Sequence, residues 1–132
     1  MTPQEIINKS YLGLMRQGQE SWGSGTCLYR GPNGTACGIG LLIEDDEFAR
    51  RLDNPDELGY GTEIASWINA KPELFPDWMI ENVNLLVSIQ HIHDTSHLKG
   101  DVFCEHITDK FRKLAHDMNL TLHEYIAEEV VA

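Results

Sequence analysis

Apolar residues recur at helical spacing along most of the chain, and the pattern breaks where turn-forming residues gather. Thr2-Pro3-Gln4-Glu5 opens the first stretch. Thr2 suits a helix cap, Pro3 the first turn, and Glu5 the return half of a capping box. Ile6, Ile7, Tyr11, Leu14 and Met15 then fall on one stripe, and Gly18 is a natural stop. Gln19 to Gly25 reads as a Ser/Gly-rich loop containing Trp22.

From Thr26 to Ile39 the pattern predicts a short β-hairpin. Pro32 and Asn33 suit the centre of a type I turn, with Gly34 as the left-handed residue that follows. In that register Gly31 opposes Thr35, Tyr29 opposes Cys37, and Cys27 opposes Ile39. Because strand side chains alternate faces, Cys27, Tyr29, Thr35, Cys37 and Ile39 would share one face. Gly38, Gly40, Leu41, Leu42 and Ile43 fit either a buried strand or the start of a helix. Glu44-Asp45-Asp46-Glu47 suits a helix N-terminus, followed by a short helix from Phe48 to Leu52 and a loop from Asp53 to Gly61.

Thr62 is placed to cap a helix running to about Ala70, with Ile64, Ala65, Trp67 and Ile68 as its apolar residues. Pro72 and Pro76 bracket the next connection. A long helix is expected from about Asp77 to Ser96, its stripe including Ile80, Val83, Leu86, Val87 and Gln90 and ending in His93, Asp94 and His97. Asp101 suits the cap of another helix, with Phe103, Ile107, Phe111, Leu114 and Met118 facing inward and Asn119 at its end. Thr121 and Glu124 form a second capping-box pattern before a last helix carrying Leu122, Tyr125, Ile126 and Val130. The expected fold is mainly α (α+β), with five or six helices and one short β-hairpin near residues 26–39, in a single globular domain over residues 1–132. No internal repeat or domain boundary interrupts it.

The charge balance narrows the partners. With 21 acidic and 10 basic side chains the formal net charge is −11. Phosphate recognition draws its affinity from Lys and Arg, so neither direct nucleic-acid binding nor docking on anionic lipid is expected. An acidic surface instead suits a basic partner or serves solubility. No apolar run approaches the ~20 residues of a membrane helix. The first residues lack the pattern of a secretory leader, and three cysteines, an odd number, suit a reducing compartment. The expected location is the cytoplasm.

The densest polar cluster lies where the long helix continues its apolar stripe. Gln90, His93, Asp94 and His97 are three or four residues apart, hence on one face. Buried, they would need partners: backbone groups near the hairpin, or a ligand. Cys27 and Cys37 with His93 and His97 would make a tetrahedral zinc set. The ten-residue step between the cysteines is wide, however, and no HExxH pattern frames the histidines. No metal is assigned. If the segment after Cys37 were helical, Cys37 would sit at its start, where a thiol is activated, and His93 with Asp94 could complete a triad. The hairpin makes Cys37 a strand residue instead, and Cys27, Cys37 and Cys104 are then plain core filler. Arg30 suits a phosphate or carboxylate, or a surface ion pair with the acidic run. Trp67 and Trp78 fit helical stripes, leaving Trp22 as the aromatic contact candidate. Phosphate-loop, dinucleotide and nucleophile-elbow motifs are absent, and residues 44–47 lack EF-hand spacing.

The block Cys27-x-Tyr29-Arg30-Gly31-x-x-Gly34-x-x-Cys37-x-x-Gly40-x-Leu42-Ile43, with Leu85-Leu86-x-x-Ile89-Gln90-x-x-His93-Asp94, resembles a pattern in small uncharacterised proteins of tailed bacteriophages and prophages. The resemblance spans roughly residues 1 to 120. It implies a phage protein acting in a bacterial cytoplasm, but neither an activity nor a cofactor. It directs attention to Cys27, Tyr29, Arg30, Cys37, His93 and Asp94. The leading expectation is a non-enzymatic binding or accessory protein that engages a host protein or a small-molecule ligand. The alternative is a small cysteine- or metal-dependent hydrolase or transferase using Cys37 with His93 and Asp94. A virion or assembly component is a third reading. The last two helices would be compatible with a homodimer.

Overall fold

The computed structural model describes residues 1–23, 26–59, 62–94 and 100–124, with the side chains of Thr26, His93 and Asp94 outside the description. Six α-helices are described: α1 (Pro3–Gln17), α2 (Asp46–Leu52), α3 (Ile64–Ala70), α4 (Asp77–Glu81), α5 (Val83–Asp94) and α6 (Gly100–Asp117). Tight 3-10 turns lie at Pro32–Gly34, Gly40–Leu42 and Pro72–Leu74.

Local rules suffice for α1. Thr2 Oγ1 accepts the Glu5 N–H at 3.2 Å, and Glu5 Oε1 accepts the Thr2 N–H at 3.0 Å, closing the capping box. Such a cap is worth about 1 kcal/mol. Gly18 ends the helix in the left-handed conformation, φ 70°, and its N–H reaches the Leu14 carbonyl. The buried stripe of α1 packs against α6, α6 against α5, and α5 against α3. Tyr11, Trp67, Phe103 and Phe111 are the largest side chains wholly inside this cluster. Tyr11 and Phe111 meet with ring centroids 5.5 Å apart, and the Tyr11 hydroxyl bonds Thr108 Oγ1 at 2.9 Å. The Trp67 indole N–H donates to the Leu52 carbonyl at 3.2 Å.

Several expectations are corrected. The helix predicted from Asp77 is broken at Asn82, so α4 and α5 are separate. The cause is local competition. The Asn82 side-chain amide takes the Trp78 carbonyl at 2.7 Å, the acceptor its own backbone N–H would use in a continuous helix. The break leaves Ile80 exposed rather than on a buried stripe. Thr62 does not cap α3, because its hydroxyl turns back to the carbonyls of Leu58 and Gly59. On α6, Met118 is exposed and Ala115 takes the inward position. Thr121 and Glu124 do not form the second capping box. The Thr121 backbone is held from both sides by the Gln4 amide, and Glu124 pairs with Arg112 at 2.7 Å. Tyr125, Ile126 and Val130 of the predicted last helix lie outside the described residues.

The hairpin predicted over 26–39 does not form. Among the described residues the only strand pairing joins Trp22–Gly23 (β1) to Thr26–Cys27 (β2), antiparallel, with Trp22 opposite Cys27. The turn itself closes, Gly31 N–H to Thr35 carbonyl at 2.8 Å. It is not type I, since Asn33 has φ 59° and Gly34 φ 74°. No ladder extends from it: the Tyr29 N–H, which the predicted register directs at Cys37, is taken by another element, and Arg30 and Ala36, whose backbone groups that register turns outward, are fastened there as well. The Tyr29 and Arg30 N–H groups both donate to the Asp53 carboxylate, at 3.0 and 2.9 Å. Across the turn, the Gln17 side chain donates to the Ala36 carbonyl at 3.0 Å and accepts the Ala36 N–H at 2.8 Å. The segment after Cys37, open between strand and helix, is a 3-10 turn. No described helix is long and apolar enough to cross a membrane.

Gly40 permits the closest approach in this region. A methyl group there would run into the backbone carbonyl of Tyr29. Gly18 has left-handed φ but nothing within 4 Å of a Cβ. Gly40→Ala is therefore expected to cost roughly 2–3 kcal/mol through backbone displacement, against about 1 kcal/mol for Gly18→Ala. Urea unfolding midpoints of the two variants test the order.

Candidate functional site

Of the sequence-marked residues, Tyr29, Arg30 and Gln90 are linked to one another, and Tyr29 forms the inner end of this polar network. Its buried hydroxyl donates to the Thr62 carbonyl at 2.7 Å and faces Gln90 Nε2 at 3.1 Å. Gln90, buried on α5, turns its Oε1 to the Ile64 N–H at 2.8 Å. That N–H opens α3, which has no side-chain cap of its own. Gln90 thus supplies a cap from another helix.

Arg30 forms the outer end. Its Nη1 donates to the carbonyls of Gly40 at 2.6 Å and Tyr29 at 3.2 Å, and its Nη2 to the carbonyl of Ile43 at 2.6 Å. Its Nε pairs with Asp46 Oδ1 at 2.9 Å. Hydrogen bonding to Arg30, with the guanidinium charge, holds the exposed Asp46 carboxyl below its ordinary range. Arg30 lines an open cavity of about 440 Å³ with Gly34, Thr35, Asp46 and Arg50. Yet its donors are already turned to three carbonyls and a carboxylate, which is the pattern of a backbone clamp rather than of an anion receptor.

Asp53, which the sequence pattern did not single out, fixes the same dipeptide from the other side. Burial pushes its carboxyl above the ordinary value, against the Arg30 and Tyr29 N–H bonds and the Arg30 charge, which pull it down. Gln17 and Ser10 were likewise missed. Ser10 Oγ, buried on α1, donates to the Gly38 carbonyl at 2.8 Å. None of the three breaks a periodic pattern, so no local signal marks them.

The two cysteines occupy different surroundings. Cys37 is buried three residues ahead of the 3-10 turn, its Sγ accepting the Gly40 N–H at 3.3 Å and its carbonyl the Leu41 N–H at 3.0 Å. Cys27 is half-buried at the end of β2, with its Sγ 3.9 Å from Glu20 Oε2. His93 and Asp94 lie in the last turn of α5, their side chains outside the description, and His97 lies outside the described residues. The zinc set and the Cys37 triad both depend on those groups. Among the described residues no three His, Cys, Asp or Glu side chains are placed to share a metal.

Comparison of the chain with protein-family models, curated proteins and solved structures finds no match. The site is therefore read from its own geometry. It fastens irregular backbone through side chains.

Two outcomes follow from the clamp. Arg30→Lys keeps the charge but cannot span three carbonyls and Asp46, and should cost roughly 2 kcal/mol. Unchanged stability in chemical denaturation would argue against the clamp. For Asp53 the folded-state pKa is raised, so the native state binds the proton more tightly than the unfolded chain. Its contribution to stability then increases as pH falls through the raised folded value and is lost as pH rises. Relative to Asp53→Asn, the natural chain should gain stability between neutral pH and the ordinary carboxylate range, as read from urea midpoints across pH.

Proposed function

We propose that this chain is a non-enzymatic binding protein, an accessory factor of a tailed phage or prophage that engages a host protein in the bacterial cytoplasm. Tyr29, Arg30 and Gln90 are engaged with backbone groups, with Asp46 and with one another as internal fasteners, so the observation that carries the binding reading is the charge of the chain. Surface charge supports a protein partner of basic character, since 21 acidic side chains face 10 basic ones. The phage setting and the cytoplasmic location rest on the resemblance of the 27–43 and 85–94 blocks.

A second reading has one observation in its favour. Cys37 stands at the start of a turn closed by the Leu41 N–H on its carbonyl, with the Gly40 N–H directed at its sulfur, as a cysteine hydrolase or transferase using Cys37 with His93 and Asp94 would require. Against it stands the burial of that thiol, which leaves a substrate no approach.

Alkylation by iodoacetamide, followed by peptide mass mapping, separates the two. In the folded protein Cys37 should react only as the chain unfolds. Cys104 should be slow, because burial and then the Asp101 charge push its thiol up. Rapid alkylation of folded Cys37 that disappears in His93→Ala would replace the binding reading with the enzymatic one. The direct test is a complex with a bacterial protein, recovered from lysate and rebuilt from purified components. Failure to rebuild any such complex would remove the binding reading.

A further inference from the structure

We infer that the groove between the 42–45 segment, α2 and α4 is the docking surface, and that its occupant is a basic amphipathic segment of another protein. This rests on the binding reading and names its surface and partner class. The groove encloses about 360 Å³. Leu42, Ile43 and Met79 form a buried floor, and the partly buried Met1, Phe48 and Trp78 form apolar walls. Trp78, expected from its spacing to be core, thus presents an aromatic wall to the surface. Phe48 is steadied by an edge-on contact with Phe75, centroids 5.5 Å apart.

The rim carries negative charge at fixed positions. Glu44 and Asp45 border the groove, with the Glu44 side chain 89% exposed. Asp45 is held by capping α2, its Oδ1 accepting the Phe48 N–H at 3.1 Å. A second groove of about 460 Å³ continues past Met1 and Glu44 along α1, adding Glu5, Leu12 and Lys9. Lys9 already pairs with Glu44 at 3.3 Å. Across the two grooves the acidic lining residues Glu5, Glu44 and Asp45 outnumber the cations, Lys9 and the Met1 amino group.

Charge selects the occupant. A second copy of a chain with net charge −11 would bring like charge to an acidic rim. Nucleic acid and anionic lipid are repelled for the same reason. The apolar floor calls for aliphatic or aromatic side chains, and the rim for Lys or Arg beside them. A helix or extended segment carrying both meets the two requirements together.

The test is a titration of the isotopically labelled full chain with a synthetic peptide of Leu and Lys at helical spacing, followed by amide NMR. Two control peptides replace Lys by Glu, or Leu by Ser. Shifts should concentrate at residues 42–48 and 77–79. Affinity should fall about tenfold with either control peptide and with the protein variant Glu44→Lys/Asp45→Ser. Serine keeps the capping oxygen, so α2 is retained. Trp78→Ala should weaken binding as well, with its fold checked by circular dichroism.

Shifts scattered over the acidic surface and indifferent to Leu→Ser would overturn the groove in favour of diffuse charge attraction. Concentration-dependent shifts at the same residues without peptide would overturn it in favour of a second copy. No binding of the Leu/Lys peptide would also overturn it, while leaving the binding reading to be judged by the rebuilt complex.

Discussion

The guanidinium of Arg30 stands where two stretches of irregular backbone meet, at Tyr29 and at Gly40 to Ile43. Between the end of α1 and the start of α3 the chain has one short helix, two-residue strands and tight turns. Such a stretch exposes many N–H and C=O groups that no ladder satisfies, and burying them unpaired would each cost about as much as a lost hydrogen bond. Arg30 answers for the carbonyls of Tyr29, Gly40 and Ile43, and Asp53 for the amides of Tyr29 and Arg30. One dipeptide is thereby held by a cation on one side and an anion on the other. Gln17, Ser10 and Gln90 repeat the device at Ala36, Gly38 and Ile64.

This arrangement explains why Gly31, Gly38 and Gly40 stand where they do. Gly40 lets two backbones touch, Gly38 fits between Ile89 and Ser10, and Gly31 lies against Ser21 and Thr35. Each is a point where a side-chain fastener reaches a carbonyl or where two segments cross. The pattern of Cys, Tyr, Arg and Gly in this region thus describes a way of folding a loop without a sheet. Its residues are chemically conspicuous, yet the contacts described for Tyr29 and Arg30 are structural ones.

How much of this could be read from sequence follows from the range of each interaction. The cap, stripe and stop of α1 involve residues within a few positions of one another, and the reading of Thr2, Glu5 and Gly18 matches the structure. The break at Asn82 is also local, but an Asn inside an apolar period gives no warning of which carbonyl it will take. The hairpin failed for a non-local reason. Strand-like residues and a turn were present, but a carboxylate 24 residues away took the Tyr29 amide that the next ladder pair would use. Tyr29, Arg30 and Gln90 drew attention as polar groups in apolar company. The ion pair of Arg30 with the acidic run was legible, and Asp46 makes it; the other partners could not be named, because Asp53 and the carbonyls of Thr62 and Ile43 carry no pattern that points back to them.

Ile43 belongs to two systems at once. Its side chain floors the surface groove, while its carbonyl is gripped by Arg30 and its N–H by the Gly40 carbonyl. Ile43 thus enters the floor with both its backbone polar groups already paired. A ligand settling there would find the shape already made and would freeze little of this chain's own motion. Recognition on such a surface is governed by how well the visitor fits, and variation among visitors is registered chiefly in how long each one stays.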